Sequence, residues 1–269
     1  MQLHIINAFT QSGAGGNPAA VVINEQLTES EKQSIARRAG LSETAFVTAT
    51  ANELFIEFFT PEKPIAYCGH ATIGSVNILY EKNLIGEGNF ILKTKLDPIP
   101  VSINGDKAYM QQAYPDFETV SMDEAAILLN ISNRHIRHTI IANNGVKFLL
   151  IELSDDQILF HLNPDQELIY NFSKKQDLIG VYVYVVNNNK ILSRMFAPYY
   201  GIKEENATGM AAGLLGGLLH HQSQGKVTEL YIEQGYSPTM NEHGYLHVLI
   251  NGQHALVGGE AVIKETKSL

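Results

Sequence analysis

The chain carries the same arrangement twice, and this repeat constrains the fold more than any other feature. A β-type run, 54–59, leads through Thr60-Pro61 to a helix start, and an apolar run, 71–84, follows. In the second half, a strand-like run ending in Phe196-Ala-Pro198 leads to a Gly/Ala/Leu-rich helix predicted over 210–221. Because the period is about half the chain, the repeat predicts two related domains and not a solenoid.

Both copies place polar groups at the predicted helix start. The first copy has Cys68-Gly69-His70, and the second has Glu205 followed by Ala207-Thr208-Gly209. When the copies are aligned from Phe-x-Pro, Glu205 falls at the position of Cys68. A helix N-terminus leaves N–H groups unpaired and carries the positive end of the dipole. Two such termini facing each other across a cleft would bind a small anion.

Composition limits the class of protein. The chain has 269 residues, 45% of them apolar, which suffices for one large domain or two ordinary ones. The net charge of −9 without a Lys/Arg cluster argues against a nucleic-acid partner. No apolar run approaches the ~20 residues of a membrane span. The N-terminus lacks a basic region and there is one cysteine, so we expect no signal peptide, no intrachain disulfide and a cytoplasmic location.

The remaining pattern predicts many short strands and few helices. Thr28-Glu-Ser-Glu31 and Ser121-Met-Asp-Glu124 are capping boxes, and Asn104-Gly105 and Asn251-Gly252 are hairpin turns. The segment 154–173 is expected to form a short helix plus a loop. One long helix per half among antiparallel strands indicates an α+β architecture and not a doubly wound one. Strands are predicted over 3–9, 19–23, 41–47, 54–59, 89–94, 99–103, 108–113, 138–142, 146–153, 180–186, 190–196, 227–234, 246–250 and 254–264, with a turn at 187–189.

Two loops carry specific expectations. Pro115-Asp116-Phe117 breaks the strand pattern, so we place the domains at 1–117 and 118–269, with the last strand as a segment that could return to the first domain. The loop Gly13-Ala-Gly-Gly16 lacks the Gly-Lys-Ser/Thr ending of a phosphate loop, and a strand follows it. Its glycines are therefore expected to allow tight turns or close backbone approach.

Glu43 is the first candidate for acid–base chemistry. It lies between Ser42 and Thr44 in an otherwise uncharged run that is expected to be mostly buried. A carboxyl group in such a place has a raised pKa and can give or take a proton near neutrality. The alternative is that Glu43 lies on an exposed strand face.

Cys68 and His70 are the candidates at the first helix start. A Cys-x-His pair alone is not a metal site, because zinc needs at least three protein ligands, and no other histidine has a suitable spacing. His220 and His221 are adjacent and cannot share a helix face. His70 is a catalytic or substrate-binding candidate, whereas Cys68 is either a nucleophile or base or a small buried side chain. The alternative for Glu205 is that its negative charge only stabilises the helix N-terminus.

The cysteine count decides one mechanistic question. A two-base epimerase of the thiol type needs a cysteine on each face of its substrate, and this chain has one cysteine in all. That mechanism is excluded unless another residue replaces the second thiol.

These motifs together resemble the PhzF-like proteins, a family named for the phenazine-biosynthesis isomerase, within the diaminopimelate-epimerase fold. The resemblance spans nearly the whole chain. Weaker matches are Glu233-Gln234-Gly235 and the segment 257–262. The stronger ones are Gly16-Asn17-Pro18 with 19–22, Leu41-Ser42-Glu43-Thr44-Ala45-Phe46, Phe59-Thr60-Pro61, Cys68-Gly69-His70 with 71–74, Arg194-Met195-Phe196-Ala197-Pro198, Gly201-Ile202 and Ala207-Thr208-Gly209.

The resemblance implies two similar domains, each a barrel-like, mostly antiparallel sheet around a central helix, with the active site between them. It also implies a homodimer, which a monomer in light scattering would contradict, and no metal or organic cofactor. The family's characterised isomerase moves a proton within a small carboxylated ring. By resemblance, Glu43 is the general acid and base, and His70 is the family histidine. Backbone N–H groups at Gly69 and at Gly209-Met210 bind the substrate carboxylate, and Ser42 and Thr208 complete the substrate-binding set.

The second motif departs from the family pattern Glu-Asp-Pro-Ala-Thr-Gly-Ser. Here the sequence is Glu204-Glu205-Asn206-Ala207-Thr208-Gly209-Met210. The aspartate is replaced by Glu205, one methylene longer, and the serine by Met210, which has no hydroxyl. We therefore expect a substrate other than the phenazine precursor.

The sequence leads to one principal hypothesis and two rivals. The principal hypothesis is an isomerase in which Glu43 shuttles a proton on a small carboxylate and His70 and Glu205 position the substrate or stabilise charge. The first rival is an inactive relative that binds a small molecule without catalysis, which Met210 favours. The second, an amino-acid racemase or epimerase, is weakened by the single cysteine.

Overall fold

The chain forms two compact units in a computed structural model that describes residues 1–50, 53–187, 190–240 and 242–269. The first unit comprises 1–111 and 258–269, and the second comprises 112–257. The sequence placed the division after residue 117. The contacts divide the chain after residue 111. The hydrogen bond from the Gln112 side-chain amide to the Gly209 carbonyl, 2.9 Å long, therefore lies within the second unit.

The first unit is built mainly from strands, with two helices. Its elements in chain order are β1 Gln2–Thr10, β2 Asn17–Ile23, α1 Glu29–Ala39, β3 Thr44–Ala49, β4 Leu54–Phe59, β5 Pro64–Ile65, α2 Gly69–Glu81, β6 Gly88–Lys93, β7 Ile99–Asn104 and β8 Lys107–Ala113.

The second unit follows the same plan with more helices. Its elements are β9 Asp116–Thr119, α3 Met122–Leu129, a 3-10 turn Asn133–His135, β10 Ile136–Asn143, β11 Lys147–Leu153, α4 Asp156–Phe160, α5 Gln166–Gln176, β12 Gly180–Asn187, β13 Lys190–Ala197, a 3-10 turn Pro198–Tyr200, β14 Ile202–Glu205, α6 Gly209–Gln222, β15 Glu229–Gln234 and β16 Gly244–Ile250. The last strand, β17 His254–Ser268, returns to the first unit.

The strands of the first unit close into a barrel. β1 pairs with β17 and β2, the chain of pairings continues through β3, β4, β6 and β7 to β8, and β8 pairs with β17. The β2–β3 and β4–β6 pairs are parallel. The antiparallel pairs are β1–β17, β1–β2, β3–β4, β6–β7 and β7–β8. Closure leaves no unpaired edge in the circuit, which removes a site for edge-to-edge aggregation.

Helix α2 lies inside the first unit. Its residues from Gly69 to Leu79 are all buried, and most of them are apolar or small. A helix that is buried on every side belongs in a core and not on a surface. Its close approach to β1 requires a glycine, since a Cβ on Gly74 would lie 1.9 Å from Ile6 Cδ1.

The second unit has a mostly antiparallel sheet packed on α6. Pairings run from β9 through β10, β11, β12, β13 and β15 to β16, with β11–β12 and β13–β15 parallel. Helix α6 is again apolar, and it is buried over most of its length. A separate apolar cluster packs α3, α4 and α5 on the sheet. The α+β prediction of barrel-like units around central helices is confirmed.

Several predicted elements differ from the structure. The run 41–47 was expected to be one strand, but β3 begins at Thr44, because Gly40 ends α1 in the left-handed region and 41–43 return the chain to the sheet. Asp116 and Phe117 do not break the pattern, since they pair with Asn143 and Ala142 in β10. The segment 154–173 holds α4 and the start of α5.

The capping and turn motifs agree with the structure better than the strand boundaries do. The capping box at Thr28 and Glu31 is confirmed, with both reciprocal bonds present. Ser121 caps α3 by accepting a hydrogen bond from the Asp123 N–H. The N-cap at Ser121 is therefore confirmed, but the predicted capping box with Glu124 is not. Asn104-Gly105 and Asn251-Gly252 are hairpin turns as predicted. The predicted turn at 187–189 falls largely outside the described residues.

Within the described residues, no helix is long and apolar enough to cross a membrane.

Candidate active site

The first candidate group meets at the start of α2. Cys68 is the N-cap residue, in extended conformation, and its side chain makes no capping hydrogen bond. Its carbonyl accepts from the Thr72 N–H at 3.0 Å and from the Thr72 hydroxyl at 2.7 Å. His70 projects from the first turn and is buried. The buried apolar helix therefore carries one imidazole and one thiol at its positively polarised end.

Glu43 joins these residues from the segment before β3. Its Oε2 lies 3.2 Å from His70 Nε2, and its side chain is 16% exposed. The Cys68 sulfur lies 3.6 Å from His70 Nδ1 and 3.8 Å from Nε2. The three side chains each offer a ligand atom, and these atoms lie within 4.8 Å of one another. We call this group the Glu43–Cys68–His70 cluster.

The contact between Glu43 and His70 is an ion contact and not an aligned hydrogen bond. The Glu43 Oε2 atom is buried and has no hydrogen-bond partner among the described residues. A buried carboxylate oxygen in this state can accept a proton or hydrogen bond from a bound molecule. Ser42 is exposed beside it and hydrogen-bonds the same carboxylate.

The pKa of Glu43 is shifted in the direction opposite to the sequence prediction. Burial alone would raise it, but the contact with His70 and the hydrogen bond from Ser42 outweigh burial and place the pKa below its ordinary value. The prediction of a raised pKa was therefore wrong, because it counted burial and could not see the imidazole. Glu43 is ionised at neutral pH and is a base in its resting state.

The pKa values of the His70 imidazole and of the Cys68 thiol are both raised. Burial would lower the pKa of His70, but the hydrogen-bonding contact with the Cys68 sulfur and the contact with the Glu43 carboxylate raise it well above its ordinary value. Burial raises the pKa of the Cys68 thiol, against the opposing effect of His70. The thiol is therefore protonated at neutral pH, which disfavours the hypothesis of Cys68 as a thiolate nucleophile.

Asn17 is a residue of this group that sequence reasoning did not assign. Its side-chain amide lies 3.4 Å from His70 Nδ1, whereas Glu43 contacts Nε2. It is placed by the glycine loop, in which Gly16 has φ +92° and an added Cβ would lie 2.6 Å from the Ala8 carbonyl oxygen. The expectation that these glycines allow close backbone approach is confirmed. The signal for Asn17 was its place in Gly16-Asn17-Pro18, within the resemblance.

The contact between Glu43 and His70 makes stability depend on pH. The pKa of Glu43 lies below 4.5, so its contribution is present above pH 4.5 and is lost as the pH falls through the folded-state pKa. The pKa of His70 lies above 6.5, so its contribution is present below pH 6.5 and is lost as the pH rises through the folded-state pKa. We expect the difference in unfolding free energy between wild type and Glu43→Gln to be largest between these pH values. Urea unfolding across the window tests this, and a pH-independent difference would contradict it.

The second candidate group lies in the second unit, before α6. Glu205 was predicted at the helix start in the position of Cys68, but it ends β14, and the N-cap residue of α6 is Thr208. The chain between Phe-x-Pro and the helix is longer in the second copy, because it has the 3-10 turn Pro198–Tyr200 and because β14 is longer than its counterpart β5. Glu205 still reaches the helix start, since its Oε2 accepts a hydrogen bond from the Thr208 hydroxyl.

Gln234 fixes this group, and sequence reasoning gave it no role. Its Oε1 accepts from the Thr208 N–H at 3.0 Å, and its Nε2 donates to the Glu205 carbonyl at 2.8 Å and the Thr208 hydroxyl at 2.9 Å. The side chain is fully buried. Gly209 is buried at the helix start, and Met210 is half-buried beside it. The predicted site residues therefore form two groups, Ser42, Glu43, Gly69 and His70 in the first unit and Glu205, Thr208, Gly209 and Met210 in the second.

Arg194 forms a buried ion pair close in sequence to the second group. Its Nε donates to Glu204 Oε1 at 2.7 Å and its Nη2 to Oε2 at 2.9 Å, which is a bidentate pair. Its Nη1 donates to the carbonyls of Leu159 at 3.0 Å and Leu162 at 2.7 Å. Glu204 is thus a structural partner of Arg194, whereas Glu205 faces Thr208.

Comparison with known proteins identifies the family. A sequence model of the phenazine biosynthesis-like proteins, PhzC-PhzF, matches residues 6–267. The chain belongs to this family. It is 30% identical over 283 residues to a Bacillus subtilis (strain 168) protein named uncharacterized isomerase YfhB, covering 97% of this chain and 96% of that protein.

Solved structures agree with the family and the fold. A PhzF-family phenazine biosynthesis protein from Enterococcus faecalis matches with a TM-score of 0.84 at 25% identity, covering 100% of this chain and 99% of that one. A probable proline racemase from Agrobacterium radiobacter K84 matches with a TM-score of 0.67 at 10% identity, covering 100% of this chain and 92% of that one. The second match shows the fold alone. The resemblance inferred from the motifs is confirmed.

Proposed function

We propose that the protein is an isomerase that needs no cofactor and moves a proton within a small carboxylate-containing substrate. The observation that carries this proposal is the Glu43 carboxylate, ionised, mostly buried and with Oε2 unbonded, in a family whose relatives are named isomerases. An ionised carboxylate shielded from bulk water is suited to take a proton from a bound substrate and return it at another position.

The proposed reaction is an intramolecular proton shift. Glu43 removes a proton from a substrate carbon, and the electron pair of that C–H bond moves into an adjacent unsaturated system. The resulting carboxylic acid returns the proton at the far end of that system, so the atoms balance without a further reactant. His70, with its raised pKa, supplies positive charge beside the carbanionic intermediate.

The lowered pKa of Glu43 limits the substrates. A weak base removes only acidic protons at a useful rate, so we expect a C–H bond activated by a conjugated carbonyl or double bond. The substrate carboxylate is proposed to bind to backbone N–H groups at the starts of α2 and α6, at Gly69 and at Gly209-Met210. Ser42 and Thr208 are proposed as further substrate contacts, and Glu205 as a hydrogen-bond acceptor.

The second candidate is a binding protein without catalysis. Met210 favours it, because a thioether cannot replace the hydroxyl that the family pattern has at this place. The two candidates make different predictions for exchange with solvent, since binding alone moves no proton.

A solvent deuterium screen separates the two candidates. The protein is incubated in heavy water with a panel of small cyclic and unsaturated carboxylates, and the products are analysed by mass spectrometry. Enzyme-dependent deuterium uptake into one class of acid supports the isomerase. Acids that bind in calorimetry without exchange support the binding protein.

A further inference from the structure

We propose that Glu43, Cys68 and His70 form a binding site for a thiophilic divalent cation such as Zn²⁺ or Cd²⁺. Cys68 and His70 are the two candidate ligands that lie near each other in the chain. The fold supplies the third, because the segment before β3 brings Glu43 to the start of α2. One carboxylate, one thiolate and one imidazole are ligands that zinc commonly takes, with a fourth position left for water or another small ligand.

The separations between the donor atoms fit one ion. With ordinary zinc–ligand distances and tetrahedral angles, a nitrogen and an oxygen ligand lie about 3.4 Å apart, and a nitrogen and a sulfur about 3.6 Å apart. In the Glu43–Cys68–His70 cluster, Nε2 lies 3.2 Å from the carboxylate oxygen, within a few tenths of an ångström of the zinc value. The sulfur lies beside the ring, 3.8 Å from Nε2 and 3.6 Å from Nδ1, so the Cys68 side chain would have to rotate to reach an ion bound at Nε2.

Asn17 supports the orientation that coordination requires. A metal-binding histidine coordinates through one ring nitrogen, and the other is held by a hydrogen-bond partner that fixes the ring. Here Nε2 lies 3.2 Å from the Glu43 carboxylate, and the Asn17 side-chain nitrogen lies 3.4 Å from Nδ1. With the amide oxygen turned to Nδ1–H, Asn17 is the positioning residue for this ligand.

Charge explains why the cation should be divalent. A carboxylate and a thiolate around an M²⁺ ion, with a neutral imidazole, sum to zero, so the filled site adds no net charge to a mostly buried place. A bound cation lowers the pKa of a coordinated thiol, so the thiol loses its proton. A sulfur ligand favours soft metals over magnesium and calcium. Cys68 is 6% exposed and His70 5%, whereas Ser42 beside Glu43 is exposed, so the cation would enter from the Glu43 side.

Occupation of the site would have one functional consequence. A cation bound to Glu43 takes the oxygen that accepts the substrate proton, so it would inhibit the isomerase. This consequence rests on the proposed function, but cation binding does not.

Cadmium titration of the full chain tests the site without any activity assay. The protein is first washed with a chelator, and Cd²⁺ is added while the thiolate-to-cadmium charge-transfer absorption is recorded. We expect one equivalent to saturate the band. Cys68→Ser should abolish the band, and Glu43→Gln and His70→Asn should each weaken binding about tenfold or more. Zn²⁺ should displace the bound Cd²⁺.

Matched variants keep the test specific. The pair Glu233 and His243 in the second unit has a carboxylate and an imidazole in contact, and the single cysteine of the chain lies elsewhere. His243→Asn should therefore leave the cadmium affinity unchanged. Circular dichroism of each metal-free variant checks folding. If His70→Asn does not fold, Glu43→Gln alone tests the proposal. Absence of the band, or a band that neither Glu43→Gln nor His70→Asn weakens, would overturn the proposal.

The predicted inhibition by the cation is tested separately. If the deuterium screen finds a substrate, one equivalent of Zn²⁺ should stop the exchange, and a chelator should restore it. A protein that binds Cd²⁺ through all three residues, and that binds acids of the panel without deuterium exchange, keeps the metal site and contradicts the isomerase.

Discussion

Replacing Glu43 by glutamine is expected to lower the rate of substrate proton exchange by about 10²- to 10⁴-fold. Glutamine has nearly the same shape and can occupy the same space, but its amide cannot take up a proton. Ligand binding should change little, because the proposed anchors of the substrate carboxylate are backbone N–H groups. Deuterium uptake at saturating substrate, followed by mass spectrometry, measures the effect directly.

Glu152→Gln is a matched control for this variant. The Glu152 side chain is 16% exposed, as that of Glu43 is, and it lies in the second unit opposite Arg137. It should leave exchange unchanged. Loss of exchange in both variants would indicate a general structural effect, and wild-type exchange in Glu43→Gln would show that another residue is the base.

Local sequence signals predicted most of the fold because they act within a few residues. The capping box at Thr28, the hairpin at Asn104-Gly105 and the buried apolar helices each depend on side chains close to one another in the chain. The half-chain repeat then predicted two similar units. These signals need no knowledge of tertiary contacts, so they could be found from the sequence.

The chemistry of the site could not be predicted in the same way. The sign of the Glu43 shift depends on an imidazole that reaches it from α2, and sequence reasoning saw only the apolar neighbours. The third possible metal ligand was missed for the same reason, because Glu43 is distant in sequence from Cys68 and His70. The position of Glu205 was wrong because a repeat alignment by Phe-x-Pro cannot show that the second copy has an added 3-10 turn and a longer strand before its helix.

The largest expected stability effect is at Arg194. Arg194→Met should destabilise the second unit by about 3–5 kcal/mol, because it leaves the Glu204 carboxylate, only 10% exposed, without its partner. It also removes the donor to the carbonyls of Leu159 and Leu162, which connect this pair to α4 and the loop after it. Hydrogen exchange of α4 and β13 should rise about 10²- to 10⁴-fold.

A double variant and a surface control test the physical cause. Arg194→Met with Glu204→Leu removes both charges together, so we expect it to be more stable than Arg194→Met alone. Lys95→Met breaks ion pairs with Glu29 and Glu57, but Lys95 is 55% exposed, so its cost should be about 1 kcal/mol or less. If Arg194→Met and Lys95→Met cost the same, burial would not be what makes the Arg194 pair important. If the double variant were no more stable than Arg194→Met, the lost carbonyl contacts, and not the stranded carboxylate, would account for the destabilisation.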